Sequence, residues 1–180
     1  MLDTRREIDL LNFYRASELH GGLILGQIAR RARDPRLVLA LTRHAAEEVV
    51  HAQCWTETMI ALGGNPRPVR DTYQARYARA LRAPVSLFHV LALTQVFERR
   101  VFRHFTLHLR RPGTHPVICA TLRRLLDEER EHLSWVKTWL EEQEKVRGRE
   151  LVARTMREFA EADETIYAEL CAEYGFARAA

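Results

Sequence analysis

Lysine, cysteine, glycine and proline are all scarce in this chain of 180 residues. Only Lys137 and Lys145 are lysine, so arginine provides nearly all of the positive charge, and the net charge is only +4. The three cysteines, Cys54, Cys119 and Cys171, are odd in number and far apart. Because no two of them form a Cys-x-x-Cys pair, the sequence gives no sign of a disulfide framework or a zinc ribbon.

Long apolar runs are also missing. The N-terminal segment is charged, and no apolar stretch approaches the length that crosses a bilayer. We therefore expect a cytoplasmic protein with no membrane partner. Arginine pairs such as Arg30-Arg31 and Arg123-Arg124 are spread along the chain, and a nucleic-acid partner is not expected because it would need them gathered on one face. The length suits one domain over residues 1–180.

The sparse glycines and prolines divide the chain into long helical segments. The predicted segments are residues 4 to about 31, 34–64, about 73–81, 86 to about 110, 114 to about 146 and roughly 150–174. No strand alternation appears, so the predicted fold class is all-α. Short connections predict two antiparallel hairpins, and about twenty residues between them predict one long crossover. The result is a four-helix bundle over about 4–146 with a C-terminal fifth helix over about 150–174, which covers the bundle or forms a homodimer.

Each of the four long helices carries a glutamate on its apolar seam, near the middle of the helix. These are Glu18, Glu48, Glu98 and Glu129, and His51 and His132 follow the second and the fourth by three residues. Glutamate and histidine at this spacing share one helix face. Buried carboxylates need a compensating charge, and these seams contain no arginine or lysine. The pattern therefore predicts a pair of metal ions, with a faint repeat between the two hairpins.

This pattern resembles the ligand set of ferritin-like di-iron carboxylate proteins, such as bacterioferritin and rubrerythrin, over about residues 5–146. The resemblance implies two iron ions, with manganese open at one or both sites. The implied ligands are Glu18, Glu48, His51, Glu98, Glu129 and His132, with Glu48 and Glu129 bridging the metals. Rubrerythrin-type chains have a seventh carboxylate where Gln95 stands and an additional cysteine site. Bacterioferritin-type chains have a haem-binding methionine where Ala52 stands, so no haem is expected.

Four further residues are candidates for contacts just outside the metal ligands. Glu47 and Glu128 lie four residues before the two histidines, as acceptors for the imidazole N–H groups or as surface charges. Tyr14 can line a pocket, relay electrons or pack in the core. Gln95 lies one turn before the ligand of its helix. The remaining histidines, including His44, are expected at helix surfaces or in packing.

The implied function is that of a non-haem di-iron oxidoreductase, which activates O2 or peroxide and acts on a small organic substrate with an electron donor that the sequence does not identify. Three alternatives remain open: an iron-oxidising or peroxide-detoxifying protein, a hydroxylase of a modified tRNA base, and a non-catalytic helical interaction module. Gly21 and Gly22 on the first seam predict a substrate-sized pocket near Glu18, with close helix packing as the alternative.

Overall fold

The computed structural model describes residues 4–81 and 86–175, apart from the side chain of Thr4. These residues form six helices and no strand, which confirms the all-α prediction for the described part of the chain. The helices are α1 (Thr4–Ala29), α2 (Pro35–Ala61), α3 (Tyr73–Leu81), α4 (Leu87–Arg110), α5 (Pro116–Arg147) and α6 (Arg149–Tyr174). None of the helices described has both the length and the apolar character needed to span a membrane.

The helix ends follow from local sequence signals. Asp34 caps α2 by accepting the Arg36 N–H at 2.8 Å, and Ser86 caps α4 by accepting the His89 N–H at 3.4 Å. Gly148 is the single residue between α5 and α6. Its φ is +89°, a backbone conformation that residues other than glycine rarely adopt. The glycines, prolines and capping residues of the sequence therefore predict the helix boundaries to within about one turn.

The chain divides into two compact units, Met1–Ala75 with Gly113–Thr121, and Arg76–Pro112 with Leu122–Ala180. In the first unit, α1 and α2 pack against each other. The ring centroid of Tyr14, in the first half of α1, lies 5.1 Å from that of Trp55, in the second half of α2. Gly22, further along α1, approaches Ala45 in the first half of α2. The two helices are therefore antiparallel, as predicted for the first hairpin, whereas the single-domain arrangement stays a prediction.

The closest approach of α1 to α2 occurs at Gly22. A Cβ atom on this residue would lie 2.9 Å from the Ala45 carbonyl oxygen and 3.0 Å from Val49 Cγ2. A Cβ on Gly26, one turn further, would meet only the Ala45 Cβ at an ordinary 4.0 Å. α2 therefore fills the space beside Gly22, so close helix packing, the alternative prediction, describes this glycine. A substrate-sized pocket near Glu18 stays a prediction.

In the second unit, α6 packs on α4. Arg100 of α4 donates from Nε to Asp163 Oδ2 of α6 at 2.7 Å. One turn further along both helices, the His104 Nδ1 lies 3.1 Å from the Tyr167 hydroxyl. Both pairs advance together, so α6 runs parallel to α4 over this contact. The fifth long helix therefore covers a face of its own chain, and formation of a homodimer stays a prediction.

Burial makes His104 an imidazole that resists protonation. Desolvation, followed by the nearby charges of His108, Arg111 and Arg100, lowers its pKa to about 3. In the unfolded chain a histidine titrates near 6.5, so between pH 6.5 and 3 the unfolded state binds more protons than the folded state. The stability contributed by neutral His104 is therefore complete above pH 6.5. It falls as the pH decreases, by at most about 1.4 kcal/mol per pH unit.

We expect His104→Gln to flatten the pH dependence of the free energy of unfolding between pH 6.5 and 4.5. The amide keeps a hydrogen-bonding group beside Tyr167 but does not titrate. Urea unfolding of both proteins across this range measures the slope. Parallel slopes for the wild type and the variant would contradict the prediction.

Candidate metal centre

The six predicted ligands are all buried. Each is at most 3 % exposed: Glu18, Glu48, His51, Glu98, Glu129 and His132. Solvent cannot screen charges at this depth, and an isolated buried carboxylate is strongly unfavourable. These side chains therefore need partners that carry or share positive charge.

In the first unit, α1 and α2 bring three of these donors together. Glu18, Glu48 and His51 each offer a ligand atom, and these atoms lie within 4.8 Å of one another. Glu48 and His51 share one face of α2, and the antiparallel packing sets Glu18 opposite them. Two carboxylate oxygens and an imidazole nitrogen form a mixed donor set of the kind that iron, manganese and zinc accept. This buried group can hold a metal ion.

In the second unit, α4 and α5 repeat this chemistry. Glu98 and His132 offer ligand atoms within 4.8 Å of each other. His132 Nδ1 also lies 3.3 Å from Glu129 Oε2, one turn earlier on α5. Each unit therefore contains two carboxylates and one imidazole of the predicted set, which we call the first and the second donor set.

One further buried histidine, His44, contacts Glu48, although the sequence pattern did not single it out. Its Nε2 lies 3.2 Å from Glu48 Oε1, and the side chain is 1 % exposed. His44 precedes Glu48 by four residues, so the two share a helix face, and this spacing was the available signal. The second hairpin has Leu125 at the matching position, so a search for a repeated pattern misses it.

A side chain of α3 that the sequence did not single out lies on the same side of Gly21 as Glu48. The Tyr73 N–H donates to Ser17 Oγ at 3.3 Å, which holds the start of α3 on α1. The next residue, Gln74, places its Nε2 3.3 Å from the point where a Cβ on Gly21 would lie. Glu48 Oε2 lies 3.2 Å from the same point. Because Gly21 has no side chain, there is space beside it for the Glu48 carboxylate and the Gln74 amide.

Glu47 and Glu128 take part in matching ion pairs on helix surfaces. Glu47 accepts from Arg43 Nε at 2.8 Å, and Glu128 accepts from Arg124 Nε at 3.2 Å. Their side chains are 28 % and 35 % exposed. The two residues therefore serve as surface charges, and their additional role as acceptors for the ligand imidazoles stays a prediction.

Tyr14 and Gln95 are both buried. Tyr14 packs its ring on Trp55, consistent with a place in the core. Gln95 is different, because its Oε1 atom has no hydrogen-bond partner among the residues that the structure describes. A buried amide oxygen in this state is unfavourable by about 1–3 kcal/mol. Gln95 therefore remains a candidate for contact with a group that binds beside the second donor set.

Comparison of the chain with family models, with curated proteins and with solved structures gave no match. The donor side chains are therefore the basis for inferring a function. They belong to an all-helical protein with buried carboxylate and imidazole groups that can hold a metal ion.

Proposed function

We propose that the two donor sets are the halves of one dinuclear metal centre in a ferritin-like bundle, and that the protein is a non-haem di-iron oxidoreductase. The observation that carries this proposal is the burial of the same chemistry twice, as two carboxylates and one imidazole with Glu-x-x-His spacing. Each set alone provides three protein ligands, fewer than the coordination number that iron and manganese prefer. Bridging by Glu48 and Glu129 would complete both metal sites.

The residues of the chain would hold and shield this centre. A pair of iron ions, when bound, supplies the redox chemistry by which O2 or peroxide is activated. Glu18 and Glu98 would act as terminal carboxylate ligands, and His51 and His132 as terminal nitrogen ligands. His44 adds a seventh donor, a nitrogen beside Glu48, so the two metals would have unequal surroundings. Burial of all these donors excludes bulk water from their charges.

The second candidate function is oxidation of Fe(II) without an organic substrate. The packing at Gly22 favours it, because the room expected there for a substrate is filled by the α2 backbone and the Val49 side chain. An oxygenase needs an apolar space beside its metals, where an organic molecule displaces water.

The proposal predicts two tightly bound ions per chain after anaerobic loading with Fe(II) or Mn(II). Elemental analysis of the desalted protein measures the number. Electron paramagnetic resonance of the Mn(II) form then tests whether the two donor sets hold one bridged pair of ions. A bridged pair is magnetically coupled and loses the six-line signal of isolated Mn(II), whereas two separate ions keep it. Binding of fewer than two ions, or a full six-line signal, would contradict the dinuclear centre.

Exposure of the Fe(II)-loaded protein to O2 separates the two candidate functions. Repeated oxidation of added Fe(II), with no organic molecule present, supports the iron-oxidising function. A single oxidation that stops after the bound iron has reacted supports an oxygenase that waits for a substrate. Optical spectra recorded after successive additions of Fe(II) distinguish these outcomes.

A further inference from the structure

A cavity of about 440 Å³ lies between α4 and α6 in the second unit. Four arginines line it, namely Arg99, Arg100 and Arg103 of α4 and Arg157 of α6. This volume falls in the range of sites that bind small molecules. None of the six predicted metal ligands lines the cavity, so it is separate from the candidate metal centre. We call it the α4–α6 groove.

Only one of the four arginines has its charge compensated. Arg100 donates from Nε to Asp163 Oδ2 at 2.7 Å and from a terminal nitrogen to Glu164 Oε2 at 2.5 Å. The other three form no hydrogen bond or ion pair with any residue in the described ranges 4–81 and 86–175. Three guanidinium groups therefore line one cavity without a counter-charge from the described protein.

Asp163, one of the two acidic groups of the groove, is held in place by two partners. Asp163 is 3 % exposed and accepts a second hydrogen bond, from the Tyr77 hydroxyl to Oδ1 at 2.5 Å. The Arg100 guanidinium lies 4.3 Å over the Tyr167 ring, in a cation–π contact. Because Asp163 is fixed from two sides, it is not available to neutralise the remaining arginines.

We infer that the α4–α6 groove binds a small organic molecule that carries a phosphate or diphosphate group. The planar guanidinium group donates two parallel hydrogen bonds to phosphate oxygens, and three such groups match a multiply charged anion. Val96, Met156 and Ala160 also line the groove and offer apolar contact to the organic part of the ligand. The ligand would replace the missing counter-charge.

Isothermal titration calorimetry with sodium pyrophosphate and with ADP tests the inference. We expect both to bind the wild-type protein, ADP more tightly because it adds apolar contact. The double variant Arg103→Gln/Arg157→Gln should bind at least about tenfold more weakly, because it loses two charge-assisted contacts to the anion. The matched control is Arg154→Gln, an exposed arginine of α6 that does not line the groove. Its affinity should stay within about twofold of the wild type.

Several results would overturn the inference: no detectable binding of either probe, an equal loss in Arg154→Gln, or binding of citrate as tight as that of pyrophosphate. An equal loss in Arg154→Gln would indicate that a diffuse positive field binds the anion. Equally tight binding of citrate would indicate a site for carboxylates. Preference for a double-stranded oligonucleotide over both probes would likewise replace the small-molecule site with a nucleic-acid surface. Thermal melting of each variant establishes that it is folded. All titrations use metal-free protein, so a failure to bind either anion does not bear on the proposed dinuclear metal centre.

Discussion

Replacing Glu48 by glutamine should weaken metal binding by more than about 100-fold while leaving the melting temperature of the metal-free protein unchanged or higher. Glu48 is buried between His44 and His51 and is a proposed bridging ligand. Glutamine keeps the size of the side chain but removes both the charge and the bridge. Loss of an outer contact to a metal ligand already lowers affinity by about 10–100-fold, so loss of a bridging ligand should exceed this. Competition with a fluorescent chelator measures the affinity.

The control variant is Glu47→Gln, which changes the neighbouring glutamate in the surface ion pair with Arg43. Its metal affinity should be close to that of the wild type, and a loss of about 10–100-fold would instead establish Glu47 as an acceptor for a ligand imidazole. Glu129→Gln should reproduce the result of Glu48→Gln in the second donor set. If Glu48→Gln strongly lowers the melting temperature of the metal-free protein, Glu48 belongs to a structural hydrogen-bond network, and its role as a metal ligand is contradicted.

The second large effect is expected at the helix contact of the first unit. Gly22→Ala places a methyl group 2.9 Å from the Ala45 carbonyl oxygen, and a backbone atom cannot move aside as a flexible side chain does. Overpacking of this kind lowers the free energy of unfolding by about 1–3 kcal/mol. In a chain of this size the melting temperature should fall by roughly 2–4 °C for each kcal/mol. Thermal and urea unfolding of the metal-free protein measure the change.

Gly26→Ala is the matched control, because it makes the same substitution one turn further along α1. Gly26 is exposed, and its new methyl group would meet only the Ala45 Cβ at 4.0 Å. Alanine favours the helix over glycine by about 1 kcal/mol, so this variant should be as stable as the wild type or more stable. Equal destabilisation by both substitutions would show that the close approach at Gly22 is not the cause.

The positions of the helices and the burial of the six predicted ligands could be read from the sequence because both depend on local patterns. Asp34 and Ser86 satisfy backbone N–H groups only one turn away. Periodic apolar residues identify the buried face of each helix, and a glutamate on that face is conspicuous. The confirmed statements concern fold class and burial, whereas the ferritin-like arrangement and the metal pair remain proposals.

The features that the sequence did not reveal depend on contacts between distant segments. Gln74 lies beside Gly21 because α3 is held on α1 by a hydrogen bond that spans 56 residues. His44 shares a helix face with Glu48, but it lacks the glutamate three residues earlier that marks His51 and His132. Gly22 is compatible with either a pocket or a close contact, and only the position of α2 decides between them.

Gly148 is the only residue between α5 and α6, so α6 is held by this one covalent connection, by its packing on α4 and by contacts with α3 such as Tyr77–Asp163. The α4–α6 groove exists only while that packing is intact, because Arg103 and Arg157 come from different helices. An anion bound by both arginines would therefore stabilise the docked position of α6. By thermodynamic linkage, the docked helix stabilises the bound anion by the same free energy. Occupancy of the groove and attachment of the last helix thus form a single coupled equilibrium.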